Sequence, residues 1–115
     1  MGHDISAYLG NQDPEDPFAY LEGWTNQPEI ASLRRGSSNP MRHQLYEVLK
    51  ATEYDGDVSG IWDARWFNRN QLELALEQLR ERLTQGLDVQ PEIEFVTNCL
   101  SALPLDRSSV FIAFG

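Results

Sequence analysis

The chain has 115 residues, the length of one domain, and its 41% hydrophobic and 23% charged residues predict a folded rather than a disordered protein. Eighteen acidic residues against nine basic ones give a formal charge of -9 at pH 7. Nucleic acids and anionic membrane surfaces are therefore poor candidate partners, because like charges repel. No apolar run reaches the ~20 residues of a membrane-spanning helix, and the first residues lack the basic and apolar regions of a secretory signal.

Three short segments near the N-terminus have strand patterns. Residues 3–9 alternate between apolar and polar side chains, which predicts a half-buried strand, and residues 29–35 alternate as well. Residues 18–21 are a shorter candidate strand, which follows a loop with two Asp-Pro steps. We therefore expect two or three strands before the first helix.

The middle of the chain has helical periodicity. Asparagine followed by proline at 39–40 predicts the start of a helix that runs to about residue 52. A second helix, ended by Gly86, has Asn70 and Glu73 as a candidate capping box, with Asn68 as a competing cap. Its predicted buried stripe consists of Leu72, Ala75, Leu76, Leu79 and Leu83.

A third helix is predicted between Pro91 and Pro104. Its apolar stripe contains Val96, Cys99, Leu100 and Leu103. Cys99 is the only cysteine, so no intrachain disulfide can form, and a reducing cytoplasm is the expected location. Its place in the stripe favours a small buried hydrophobe over a reactive thiol.

Residues 110–114 contain no polar side chain. A strand that is apolar on both sides should be covered on both sides, which predicts a central position in a sheet. With strands early and late and helices between them, we expect a single α+β domain over 1–115. It would consist of a small, mostly antiparallel sheet with about three helices packed on it.

The clearest local motif lies at residues 55–66. Placed on the twelve-residue calcium loop, it puts oxygen ligands at positions 1, 3, 5 and 9 and Gly60 at the sharp turn. These four candidate ligands are Asp55, Asp57, Ser59 and Asp63. The segment resembles an EF-hand loop, but position 12 holds Trp66 instead of the bidentate glutamate. The alternative is a glycine-rich turn or hairpin whose aspartates hydrogen-bond locally.

Residues 61–67 also alternate, so this segment has a second interpretation as a strand. Tryptophan and arginine are enriched at binding hot spots, which makes four residues candidates for a partner-binding face. They are Trp24, Trp62, Arg65 and Trp66. The alternative is that the tryptophans are half-buried core residues.

Three arginines, Arg34, Arg35 and Arg42, form the only basic concentration in the sequence, around a Gly-Ser-Ser turn. Arginines beside such a turn and a helix start can hold an anion. The glycine spacing and the Lys-Ser/Thr pair of a phosphate-binding loop are missing, so the signal is nonspecific. The alternative is that these arginines neutralise nearby acids.

The sequence contains no recognised catalytic motif. Its two histidines, His3 and His43, lie outside the zinc-protease, hydrolase and dinucleotide-binding patterns, and we predict no catalytic residue and no cofactor. We therefore expect a non-catalytic protein-binding module, of the inhibitor or immunity type, whose partner is a protein with a basic surface. A weak divalent-cation or small-anion binder is the second hypothesis, and a small enzyme is the third.

Overall fold

The computed structural model describes residues 2–9, 28–36, 44–49, 63–103 and 109–114. Over these ranges the chain forms, in order, β1 (Gly2–Tyr8), β2 (Glu29–Gly36), α1 (Gln44–Leu49), β3 (Asp63–Asn68), α2 (Arg69–Thr84), α3 (Gln90–Ala102) and β4 (Ser109–Phe114). The predicted α+β class is confirmed. The candidate strand at 18–21 and the helix start at 39–40 lie outside the described residues.

The four described strands form one antiparallel sheet in the order β2-β1-β4-β3. β4 lies between β1 and β3, so the C-terminal strand is central, as its apolar sequence predicts. Val110, Phe111 and Ile112 have no exposed surface. Consecutive strand residues point to opposite faces, so both faces of the sheet are covered at β4.

The described helices share one core with one face of the sheet. This core joins strand residues such as Ile5, Leu33 and Phe67 to helix residues such as Leu72 and Val96. A second apolar cluster contains only strand residues: Tyr8, Trp66, Phe111 and Ala113. Because Phe67 belongs to the first cluster and Trp66 to the second, the clusters occupy opposite faces of the sheet.

The start of α2 corrects one prediction. Asn68 is the N-cap, and its side chain accepts a hydrogen bond from the Gln71 backbone N–H at 2.8 Å. The Gln71 side chain in turn accepts from the Asn68 N–H at 2.8 Å, which completes a capping box. The predicted box of Asn70 and Glu73 is wrong and the competing cap, Asn68, is confirmed, because β3 passes into α2 without a loop and its last residue becomes the cap.

The end of α2 agrees with the prediction that Gly86 terminates it. The Leu87 N–H donates to the Arg82 carbonyl and the Gly86 N–H to the Leu83 carbonyl, each at 3.1 Å. These are the two bonds of a Schellman motif, which requires the residue after the C-cap to be left-handed. Gly86 has φ of 94°, so glycine fits this position because it has no side chain to strain.

The buried face of α3 is wider than the predicted stripe. Val96, Cys99 and Leu103 are buried and Leu100 is half-buried. The structure adds three residues from the first turns of the helix: Glu92, Ile93 and Phe95. In α2, Leu72, Ala75 and Leu79 are buried as predicted, whereas Leu83 is 39% exposed.

Candidate protein-binding surface

The exposed side of α2 is the most charged helix surface that the structure describes. Leu72, Ala75 and Leu79 turn towards the core, so the helix repeat directs a different set of residues to solvent. We call this set the outer face of α2: Asn70, Glu73, Leu74, Glu77, Arg80, Glu81 and Thr84, all of which are exposed. Three of its seven residues are acidic and one is basic.

The three glutamates form a ladder along this face. Glu73, Glu77 and Glu81 are four residues apart, so they lie above one another on consecutive turns, separated by about 6 Å of helix rise. None of the ion pairs within the described ranges involves them. Like charges at this spacing destabilise a helix by about 0.2–0.5 kcal/mol per pair. Arg80 lies one turn from Glu77 on the same face and offsets part of this repulsion, but none of the three glutamates has an ion-pair partner among the described residues.

Leu74 adds apolar area to the outer face. It is 48% exposed and lies one turn from Asn70 and from Glu77. A single exposed leucine is ordinary on a protein surface, so Leu74 does not define a site by itself. Charge, rather than apolar area, distinguishes this face.

Charges at the contact between α1 and α2 are paired instead. The Arg82 guanidinium donates through Nη1 to Gln44 Oε1 at 2.6 Å and lies 3.4 Å from Glu47 Oε2. The Arg82 side chain is only 27% exposed, so this contact ties two helices together within the fold. We assign it a structural role.

The structure describes only part of the predicted tryptophan face, and the one tryptophan that it describes lies in the core. Trp66 is 5% exposed, and its ring meets Phe111 edge to face with centroids 5.4 Å apart. Trp66 is therefore a core residue in this structure, as the alternative interpretation expected. Arg65 occupies the neighbouring position of β3, opposite Ile112 in register, while Trp24 and Trp62 lie outside the described residues.

The candidate calcium loop ends in a strand. Residues 63–68 form β3, so the strand interpretation is confirmed over these positions. An EF-hand loop leads directly into a helix, whereas here Asp63 and Trp66 lie in β3 and the helix begins at Arg69. Asp55, Asp57 and Ser59 lie outside the described residues. Within those ranges no group of three or more His, Cys, Asp or Glu side chains is placed to hold a metal.

The described residues do not bring the three candidate anion-binding arginines into one site. The Arg34 Nε lies 3.3 Å from Asp4 Oδ1, and the two residues are directly opposite in the β1–β2 ladder. This exposed pair supports the interpretation that the arginines neutralise acids. Arg35 is opposite His3 in register, and Arg42 lies outside the described residues.

Sequence reasoning missed a buried carboxylate. Glu92 is 1% exposed and lies in the first turn of α3, where the free N–H groups and the helix dipole favour negative charge. The signal was present, because residue 92 continues the buried stripe of 96, 99 and 103 by one turn towards the N-terminus. Its buried position favours a structural role, in which Glu92 helps to hold α3 against the core.

Cys99 is unsuited to nucleophilic chemistry. It is fully buried, and burial raises the pKa of its thiol from 9.0 to about 12. The thiol is therefore protonated at neutral pH, and the thiolate that would act as a nucleophile or metal ligand is missing. The prediction of a small buried hydrophobe is confirmed.

Comparison of the chain with protein-family models, with curated proteins and with solved structures finds no match in any of the three. None of the described helices is long and apolar enough to cross a membrane.

Proposed function

We propose that this protein is a non-catalytic, cytoplasmic protein-binding module that docks on a basic protein surface through the outer face of α2. An inhibitor or immunity-type protein that covers a basic site would have this character. The observation that carries the proposal is the ladder of Glu73, Glu77 and Glu81, none of which has an ion-pair partner among the described residues.

The charge of the whole chain supports the same partner class. At -9 the protein attracts a basic surface from a distance, and complementary charge raises association rates well above the neutral range of about 10⁵–10⁶ M⁻¹s⁻¹. At close range, lysines or arginines of the partner would relieve the repulsion between successive glutamates. Leu74 would supply apolar contact inside this charged rim.

Site-specific crosslinking tests the proposal. A photo-crosslinking amino acid in place of Leu74 should capture a protein with a basic surface from the native cytosol. The same group in place of Thr97, which is exposed on α3, is the matched control. Capture from position 74 that is abolished by high salt is the expected result. Equal capture from both positions, or a partner without a basic surface, would contradict the proposal.

A further inference from the structure

β2 lies at one edge of the sheet. Within the described ranges only β1 pairs with it, although β2 is eight residues long. The backbone N–H and C=O groups on the outer side of an edge strand can pair with another strand. The register with β1 is irregular between Ala7 and Tyr8, so the regular part of β2 runs from Ala31 to Gly36.

The side chains of β2 determine which strand could join it. Ala31 and Leu33 are buried in the core beneath the helices, whereas Ser32 and Arg34 are exposed on the opposite face. An added strand would continue both faces of the sheet. It would therefore need apolar side chains beside Ala31 and Leu33 and polar ones beside Ser32 and Arg34.

Arg34 determines the charge of the added strand. Its side chain is 79% exposed and contacts Asp4 of β1 through Nε. Its two Nη groups carry most of the guanidinium donors, and the Arg34 side chain has no hydrogen bond or ion pair with a described residue other than Asp4. A carboxylate on the outer neighbour of β2 would lie within reach of these groups and accept charge-assisted hydrogen bonds.

A second copy of this chain is a poor occupant of the edge. Each copy carries a charge of -9, so pairing two β2 strands would bring two strongly acidic molecules together. A local segment with one or two carboxylates meets Arg34 without a second charge of that size. Charge complementarity at Arg34 therefore favours a segment that carries a carboxylate over a second copy of β2.

We propose that the outer edge of β2 binds an extended segment of a partner protein, with alternating apolar and polar side chains and a carboxylate beside Arg34. This proposal does not depend on the one for α2. α3 packs against both β2 and α2, but the residues proposed to bind lie on different elements, the edge strand β2 in one case and the outer face of α2 in the other. Each proposal can fail without the other.

Amide hydrogen exchange tests whether the edge is open. From Ala31 to Gly36, alternate amides should exchange at least ~100-fold faster than those of the central strand β4, because only every second N–H of β2 bonds to β1. Uniform protection along β2 would mean that the edge is already paired in the protein and would overturn the proposal. Protection of alternate amides in β3, the strand at the other edge of the sheet, would not bear on the proposal, because the proposal concerns β2 alone.

A defined peptide pair tests the chemistry of the occupant. The probes are a synthetic peptide of alternating valine and threonine with a single central aspartate, called the aspartate peptide, and the same peptide with lysine in place of that aspartate, called the lysine peptide, each at about 1 mM. The aspartate peptide should shift the NMR amide signals of β2 and the lysine peptide should not. Arg34→Gln should weaken aspartate-peptide binding by roughly three- to tenfold. Asn98→Ala, at an exposed position of α3 outside both proposed surfaces, should leave it unchanged.

Three outcomes of the peptide experiment would overturn the proposal. They are equal binding or no binding of the two peptides, signal changes confined to elements other than β2, and concentration-dependent shifts of the β2 amide signals without peptide, which would show self-association through β2. Arg34→Lys separates charge from geometry, because lysine keeps the charge but lacks the planar fork. Its affinity for the aspartate peptide should fall between those of wild type and Arg34→Gln.

Discussion

Charged side chains form an ion pair on the side of α2 that faces α1, whereas the glutamates on its outer face have no described ion-pair partner. Towards α1, Arg82 is partly buried and its guanidinium contacts both Gln44 and Glu47. On the outer face, Glu73, Glu77 and Glu81 are exposed and have no described ion-pair partner. The first arrangement stabilises the fold, whereas the second costs stability and leaves charge available to another molecule. This difference separates residues that maintain the structure from residues that are candidates for recognition.

The largest effect should come from the buried stripe of α2. Leu79→Ala should lower the free energy of unfolding by about 2–5 kcal/mol, because Leu79 has no exposed surface and its loss leaves a cavity. Leu74→Ala is the matched control and should change stability by less than about 0.5 kcal/mol. Denaturant titration measures both. Similar losses for the two variants would show that the assignment of inner and outer faces is wrong.

The second largest loss of stability should come from removing the N-cap of α2. Asn68→Ala should destabilise the protein by about 0.5–2 kcal/mol, because the Gln71 N–H loses its acceptor at the start of α2. Asn70→Ala changes the same residue type two positions later, on the outer face, and should have little effect. Thermal melts of the two variants compare them directly. A larger loss from Asn70→Ala would favour the capping box that the sequence suggested.

Removing the Arg82 contacts between α1 and α2 should lower the free energy of unfolding by a smaller amount. Arg82→Gln removes the contact with Glu47 and weakens the 2.6 Å bond to Gln44, and should cost about 0.5–1.5 kcal/mol. Arg80→Gln, an exposed arginine on the other side of the helix, is its control and should cost less. A double-mutant cycle of Arg82→Gln with Glu47→Gln should give a favourable coupling energy. Zero coupling would argue against the pair.

Removing a charge from the outer face should raise the free energy of unfolding instead of lowering it. Glu77→Gln removes two repulsive contacts of the ladder and one favourable contact with Arg80, so it should stabilise the protein by about 0.2–0.5 kcal/mol at low salt. The gain should shrink as salt rises, because exposed charges are screened. Glu94→Gln, at an exposed glutamate of α3, provides the comparison. Destabilisation by Glu77→Gln would mean that this carboxylate supports the fold.

The sequence predicted features that depend on one residue pattern. β4 was predictable because five consecutive apolar residues require cover on both faces of a strand. Gly86 was predictable because a helix stripe ended beside a glycine. The fold class followed from the order of these elements.

Features that depend on competition between patterns were not predictable. Asn68 and Asn70 each have a suitable partner three residues later, and only the direct passage from β3 into α2 selects Asn68. Asp63 fits both a calcium loop and a strand, whereas Trp66 fits the strand but not the last position of the loop. The glutamate spacing on α2 is visible in the sequence, but the absence of ion pairs among the described residues is a property of the folded chain.

Association kinetics with the captured partner test the central claim most directly. The two variants to compare are Glu73→Gln/Glu77→Gln on the outer face and Glu29→Gln/Glu94→Gln at exposed glutamates elsewhere, which change the net charge equally. We expect the first to slow association by roughly three- to tenfold at low salt, with the difference lost at high salt. Equal slowing by both variants would show that the total charge, and not the outer face of α2, recognises the partner.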